Sequence, residues 1–344
     1  MTEDGDRHDD LPAATATRGP RRAPAPARQA GPGEPSESGS ALRVPMTREA
    51  HPVDLTADFV PTGDPGGLAL FVRRLEARRP RAGLIFLHGS LVHSEYYLAW
   101  GLTLAQRGIA VWLPDLRGHG RSGGTRGTVG RYPTYTADLT RVVAAFRRTW
   151  PDLPLYLGGE SFGGLVAFLA AATGAGGLGG LVLSSPAFAL KASLSPRQRR
   201  LITQAARFLP LLRPLRPMGV AGVAQWPGLP RLVDTDPLVN RRYTLKFLAE
   251  LLAAQEAALP AAADITCPLC VLLAGQDRVV DNAATRAVLG AVTVPVRLRE
   301  FPDAWHSLTA DVPEALADEV LAFVEATAPP PPRPAGDGIA RPSR

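Results

Sequence analysis

Five residues, Gly159-Glu160-Ser161-Phe162-Gly163, set a serine between two glycines in the Gly-x-Ser-x-Gly spacing. The apolar run Leu155-Tyr156-Leu157 precedes them, and Gly164 to Ala170, a second apolar run of helical character, follows. Strand, tight turn and helix is the context in which this spacing lifts a serine hydroxyl out for nucleophilic attack. The glycines have a steric reason. A serine in such a turn sits in a strained backbone conformation, and side chains at 159 and 163 would collide across it. Phe162 opens the helix, so its N–H lacks an intrahelical acceptor and can face an anion beside the serine.

A serine hydroxyl needs a base to take its proton, and the base needs a third group to hold it. In strand–turn–helix serine sites the acid and then the histidine follow the nucleophile along the chain. His306 is the only histidine after Ser161, in the segment Phe301-Pro302-Asp303-Ala304-Trp305-His306-Ser307. The acid is expected in the loop after the preceding strand, where Gly275-Gln276-Asp277-Arg278-Val279-Val280-Asp281-Asn282 offers two aspartates. Asp277 follows the strand at once, whereas Asp281 abuts the next helix and suits an N-cap. Asp277 is therefore the expected acid, with Asp303 a weaker third candidate.

Negative charge developing on a substrate carbonyl calls for two backbone N–H donors. Phe162 supplies one. The other is expected from Leu87-His88-Gly89-Ser90-Leu91, where Gly89 lets the backbone pass close to a ligand; the Ser90 N–H is preferred and Leu91 is the alternative. His88 and His93 lie upstream of the expected base position and are read as structural.

The elements that must position these residues alternate. Residues 55–59 and 68–72 read as a hairpin at a sheet edge, with turn residues Pro61, Gly63, Asp64, Pro65 and Gly66 between them. Gly83 to Leu87 is a continuous apolar run of the kind found in central parallel strands. A helix over 97–107, strand 109–113, helix 136–149, strand 154–158, the helix after Ser161 and strand 180–184 follow. After an interruption the alternation resumes with strand 269–274, helix 282–290, strand 296–301 and helix 313–326. This predicts an α/β protein with a doubly wound, mostly parallel sheet. The interruption, about 188–260, is helical at 198–212 and 243–259, and Asp236-Pro237 reads as N-cap and first residue of the second helix. Lying between Ser161 and Asp277, it is expected to cap the carboxyl edge of the sheet, where open α/β sheets bind ligands. The expected domain runs from 46 to 327, between disordered tails at 1–45 and 328–344 that are rich in Pro, Ala, Gly and Arg.

Composition excludes several classes. The formal charge of +6 rests almost wholly on arginine, Lys191 and Lys246 being the only lysines. The arginines are scattered among acids, so no nucleic-acid partner is expected. Cys267 and Cys270 flank the start of a strand, where an offset of three sends them to opposite faces; they are read as buried, and no metal or other cofactor is expected. Residues 162–190 carry no charge, but the glycine-rich break at 173–180 fits helix, turn and strand better than a membrane span. The acidic start, Met1 to Asp6, has no apolar run, and a cytoplasmic protein is expected.

Taken together, His88-Gly89-Ser90, His93-Ser94-Glu95-Tyr96-Tyr97, Pro114 to Ser122 (PDLRGHGRS), Gly159 to Gly163, Asp236-Pro237-Leu238, Gly275-Gln276-Asp277 and His306-Ser307 resemble the monoacylglycerol lipase and lysophospholipase branch of the α/β-hydrolases, close to the S33 serine aminopeptidases. The resemblance covers about residues 55–326. It implies the α/β-hydrolase fold, and a triad of Ser161, Asp277 and His306 with oxyanion donors Ser90 and Phe162. It also implies a small acyl ester or lipid substrate, and an acyl channel under a mobile cap that touches membranes peripherally. In this chain the cap is arginine- and proline-rich (Arg207, Arg213, Pro214, Arg216, Pro217). Hydrolysis of a carboxylic ester is the leading expectation. A thioesterase or peptidase on the same machinery is the alternative within the class, and a non-catalytic binding scaffold the alternative outside it.

Overall fold

The computed structural model describes residues 52–192, 194–213, 220 and 222–328. The two tails apart from Ala328, residues 46–51 of the expected domain, and Pro214, Arg216 and Pro217 of the interruption lie outside the described residues.

Eight strands form one sheet in the order β1-β2-β4-β3-β5-β6-β7-β8. They are β1 (Val53–Pro61), β2 (Ala69–Ala77), β3 (Ala82–Leu87), β4 (Ile109–Pro114), β5 (Leu155–Glu160), β6 (Gly180–Ser184), β7 (Leu269–Ala274) and β8 (Val296–Phe301). The β1–β2 and β2–β4 pairs are antiparallel, and the remaining pairs are parallel. The helices are α1 (Leu98–Gln106), α2 (Pro133–Thr149), α3 (Phe162–Ala172), α4 (Pro196–Phe208), α5 (Leu229–Thr235), α6 (Leu245–Ala261), α7 (Asn282–Gly290), α8 (Leu308–Asp311) and α9 (Pro313–Thr327). None among the described residues is long and apolar enough to cross a membrane.

Continuous apolar runs become central strands because both faces of the sheet are covered. Every residue of β3, β4, β5, β6 and β7 is buried. Ile85, Leu87, Leu157, Leu183 and Val271 point into one core shared with α2, α3 and α6. Leu84, Phe86, Tyr156, Val182 and Leu272 point into the other, with α1 and α9. Cys267 and Cys270 fall on opposite sides, as the offset of three predicts. Burial pushes their thiols up to about 11 and about 12. The edge strand β8 breaks the apolar pattern with Arg297, Arg299 and Glu300, all exposed, which discourages further strands from pairing there.

Strand order reverses direction around β3, which lies between β4 and β5. Such a reversal leaves the loops after the two flanking strands diverging, and opens a crevice at their carboxyl ends. Register places Leu87 beside Gly159 and Ala274 beside Phe301. The loops after β3 and β5 therefore emerge together, as do those after β7 and β8.

The helical stretch between β6 and β7 carries α4, α5 and α6. Ser195 and Gln198 form a capping box on α4, with Pro196 as its first residue. Asp236-Pro237 does not start α6. Thr244 does, its hydroxyl accepting from the Phe247 N–H at 3.1 Å. Asp236 instead closes α5 and is held by partners from another loop, which local sequence gave no means of weighing against an N-cap.

Candidate active site

Ser161 sits at φ 57° and ψ −119°, between β5 and α3. Its N–H donates to the Ser184 carbonyl (2.9 Å), and its carbonyl accepts from Leu165 and Ala187 (3.1 and 3.0 Å). These bonds hold a backbone conformation that a non-glycine residue adopts only under constraint. The flanking glycines are required sterically. A Cβ on Gly159 would lie 2.4 Å from the Gly163 carbonyl carbon, and one on Gly163 would lie 2.4 Å from the Leu87 oxygen and 2.6 Å from the His88 oxygen. Both obstacles are backbone, so neither can swing aside.

His306 and Asp277 meet: Nδ1–H donates to the Asp277 carboxylate at 2.8 Å, leaving Nε2 as the free ring nitrogen. The other Asp277 oxygen accepts from the Val279 and Val280 amides at 2.7 and 2.9 Å. Burial alone would raise the Asp277 carboxyl, but the His306 bond and charge, with the two amides, hold it below its ordinary value. The loops bearing this pair are stitched by backbone. Gly275 N–H donates to Phe301 and Gln276 N–H to Ala304, at 2.8 and 3.0 Å. The Arg278 guanidinium lies 4.2 Å over the Trp305 ring, binding the same two loops through side chains.

Among the described residues no hydrogen bond joins the Ser161 hydroxyl to His306. Catalytic contacts in unliganded sites often tighten only around substrate. The other acid candidates lie elsewhere. Asp281 caps α7, accepting from the Ala283 N–H at 2.8 Å, and Asp303 contributes its carbonyl to Gln225.

Gly89 passes close to the serine, since a Cβ there would be 3.6 Å from Ser161 Cβ. Among the described residues, neither the Ser90 N–H nor the Phe162 N–H finds an acceptor in the chain. Leu91, the alternative donor, packs its side chain with Val220, Leu229, Val233 and Val239. His88 is fully buried, Nδ1 donating to the Gly89 carbonyl (2.7 Å) and Nε2 accepting from the Leu116 N–H (2.9 Å). Burial lowers its pKa to about 3, so it stays neutral and serves as a brace for the loop. His93 reaches Asp236 at 2.8 Å, and Tyr96 donates to the same carboxylate oxygen at 3.2 Å.

Three residues of the surroundings escape sequence reasoning. Tyr243, at the root of α6, donates to the Ser90 carbonyl. Tyr97 accepts from the Gly89 N–H at 3.0 Å and donates to Glu160 at 3.0 Å. Glu160, beside the serine and 3% exposed, also accepts from Ser307 and Thr309. Only Glu160 carried a signal, a charge ending an otherwise apolar strand.

Comparison with known proteins places the chain. The family model described as serine aminopeptidase, S33, matches residues 78–313. The chain belongs to this family. A monoacylglycerol lipase of Mycolicibacterium smegmatis is 27% identical over 251 residues, covering 71% of this chain and 88% of that protein. The human monoglyceride lipase is 28% identical over 254 residues, covering 72% and 83%. A crystal structure of the Paleococcus ferrophilus monoacylglycerol lipase superposes with a TM-score of 0.66 at 23% identity, covering 75% of this chain and 99% of that one. The chain has the α/β-hydrolase fold.

Proposed function

We propose that this S33-family chain is a serine hydrolase of carboxylic esters, with monoacylglycerols or lysophospholipids as its acyl donors. Ser161 Oγ attacks the ester carbonyl as His306 Nε2 takes its proton. Asp277 keeps the other ring proton on Nδ1 and stabilises the imidazolium that forms. The Ser90 and Phe162 N–H groups receive the oxyanion, each such donor being worth about 10²–10³ in rate. Collapse expels the alcohol, protonated by His306, and leaves an acyl-enzyme on Ser161. Water activated by His306 then releases the carboxylic acid and restores the serine.

The observation that carries this reading is the buried Asp277–His306 bond of 2.8 Å, on loops that emerge beside a strained, glycine-flanked serine. The monoacylglycerol lipases among the relatives favour an acyl ester over a peptide. Aromatic packing of Phe162 against Phe247 of α6, at 5.4 Å between centroids, supports reading the β6–β7 stretch as a cap over the serine. Its outer helix and the turn after it support peripheral membrane contact: Leu201 and Phe208 of α4 and Leu209, Leu211 and Leu212 just beyond it are exposed, with Arg197, Arg200 and Arg207 exposed on α4.

Turnover of p-nitrophenyl esters and labelling by a fluorophosphonate probe test the chemistry. Both are expected in the wild type and absent in Ser161→Ala. Labelling that survives Ser161→Ala would overturn the assignment. A panel of monoacylglycerols, lysophospholipids, thioesters and short peptides then sorts the acyl donor.

A further inference from the structure

The carboxyl of Glu160 is buried in the last position of β5, next to the serine, and among the described residues its bonded partners are neutral donors. It is surrounded by donors. Oε1 accepts from the Tyr97 hydroxyl at 3.0 Å and from the Ser307 hydroxyl at 2.8 Å. Oε2 accepts from the Thr309 hydroxyl at 3.1 Å and the Thr309 N–H at 3.3 Å. A buried carboxyl is costly unless its lone pairs are met, and here both oxygens are doubly met.

The donors come from two different loops. Tyr97 is itself the acceptor of the Gly89 N–H, at 3.0 Å, so the chain of bonds runs from the loop after β3 through Tyr97 to Glu160. Ser307 and Thr309 belong to the segment just after His306. Glu160 is covalently joined to Ser161. One side chain thus ties the Gly89-Ser90 loop, the serine turn and the histidine loop at a common point. Burial raises the Glu160 carboxyl above its ordinary value, and the neighbouring His306 and the hydrogen-bond donors oppose that rise.

We propose that Glu160 is a positioning residue: its buried carboxyl holds the Ser90 donor, Ser161 and His306 in one register across three separate loops. The proposal rests on the serine-hydrolase reading and adds to it a residue that touches neither substrate nor the reacting atoms. The competing explanation is that the network serves stability alone. The two differ in what they move. A stabilising network changes the melting temperature and leaves the turnover of folded enzyme intact. A positioning network changes kcat, because loosening of three loops by a fraction of an ångström misaligns the attack without altering where the acyl chain binds.

The test uses the full-length protein. Glu160→Gln keeps the shape but offers one acceptor oxygen where the site presents donors to two. We expect kcat on a p-nitrophenyl ester to fall on the order of 10²-fold, the scale of a small misplacement of reacting groups. KM should stay within about threefold of wild type, as expected when ground-state binding is untouched. The rate of fluorophosphonate labelling should fall in parallel. A folded Glu160→Gln enzyme with wild-type kcat and labelling rate would overturn the proposal, as would a loss confined to KM. Where Glu160→Gln fails to fold, Tyr97→Phe carries the same test. It keeps the ring against Phe86 and removes the link between Gly89 and Glu160. A parallel drop in kcat supports the proposal, and an unchanged kcat defeats it. Ser161→Ala separates the two levels. If wild type and Ser161→Ala label alike, the serine reading has failed; if only the wild type labels, that reading stands and Glu160→Gln judges the positioning role alone.

Discussion

The serine turn and the β6–β7 stretch above it are built on opposite principles. At the turn, backbone packs on backbone. Gly159 and Gly163 leave no room for even a methyl group, Gly158 would set a Cβ 2.4 Å from the Val182 oxygen, and Ser161 is locked at φ 57° by bonds to three neighbours. In the β6–β7 stretch, polar side chains add to a few backbone bonds, such as those of the Asn240 N–H to Leu91 and the Thr244 N–H to Gly127. Asp236 is gripped by His93 and Tyr96, Asn240 reaches the Gly118 carbonyl, and Tyr243 reaches that of Ser90. Farther out, Phe208 at the end of α4 is 81% exposed and Leu211 just beyond it 65%. The difference shows where tolerance to change lies. The serine turn is set where no atom can move, the loop after β3 is held by polar side chains, and the outer helix is free to vary with the surface it meets.

The largest effect expected at the rigid end is at the acid. Asp277→Asn should keep the fold but lower kcat by about 10⁴-fold, because an amide cannot hold the ring in the required tautomer. Steady-state kinetics checks this, and a loss under tenfold would remove Asp277 from its role. Gly163→Ala should destabilise by about 1–3 kcal/mol, since the new methyl meets the carbonyl oxygens of Leu87 and His88 rather than a flexible side chain. Chemical denaturation measures it, and a neutral outcome would mean the turn is looser than its geometry implies.

The same loops should make the protein acid-sensitive. Burial lowers the pKa of His88 and of His119 to about 3, from an ordinary 6.5. Below pH 6.5 the unfolded chain takes up protons that these rings refuse in the fold. Stability should therefore hold above pH 6.5 and fall as pH drops from 6.5 towards 3, by up to about 1.4 kcal/mol per pH unit for each ring. Denaturant midpoints across that range, flattened in His88→Asn, provide the check.

In the β6–β7 stretch the effects shrink. Tyr243→Phe removes the donor to the Ser90 carbonyl and should cost about tenfold in kcat/KM, the scale of one buried hydrogen bond. Phe208→Ser should weaken binding to anionic lipid vesicles about fivefold, roughly 1 kcal/mol of apolar contact, while soluble-ester turnover stays unchanged. Vesicle sedimentation beside a p-nitrophenyl acetate assay separates the two. Equal loss in both would erase the distinction between inner and outer parts.

Much of the architecture was legible because its signals are local. Apolar runs bounded by turn residues gave the parallel strands, and the structure extends β5 only to 160. Ser161, Asp277 and His306 follow β5, β7 and β8 along the chain, and of these the structure bonds Asp277 to His306. Asp236 was misread because its partners, His93 and Tyr96, lie more than a hundred residues away. Tyr97 read as a helix residue and part of the His93–Tyr97 resemblance, without a bonding role, for the same reason: its two bonds reach back to Gly89 and forward to Glu160.

The sequence by itself determined the α/β alternation, the serine turn and the candidate residues Ser161, Asp277 and His306, since strand pattern, glycine sterics and the scarcity of downstream histidines are all properties of short segments. Only the tertiary structure decided which distant groups meet: Glu160 with Tyr97, Ser307 and Thr309, and Tyr243 with Ser90. A hydrogen bond has a reach of about 3 Å in space and none along the chain, so such networks exist only once the sheet has brought its carboxyl ends together.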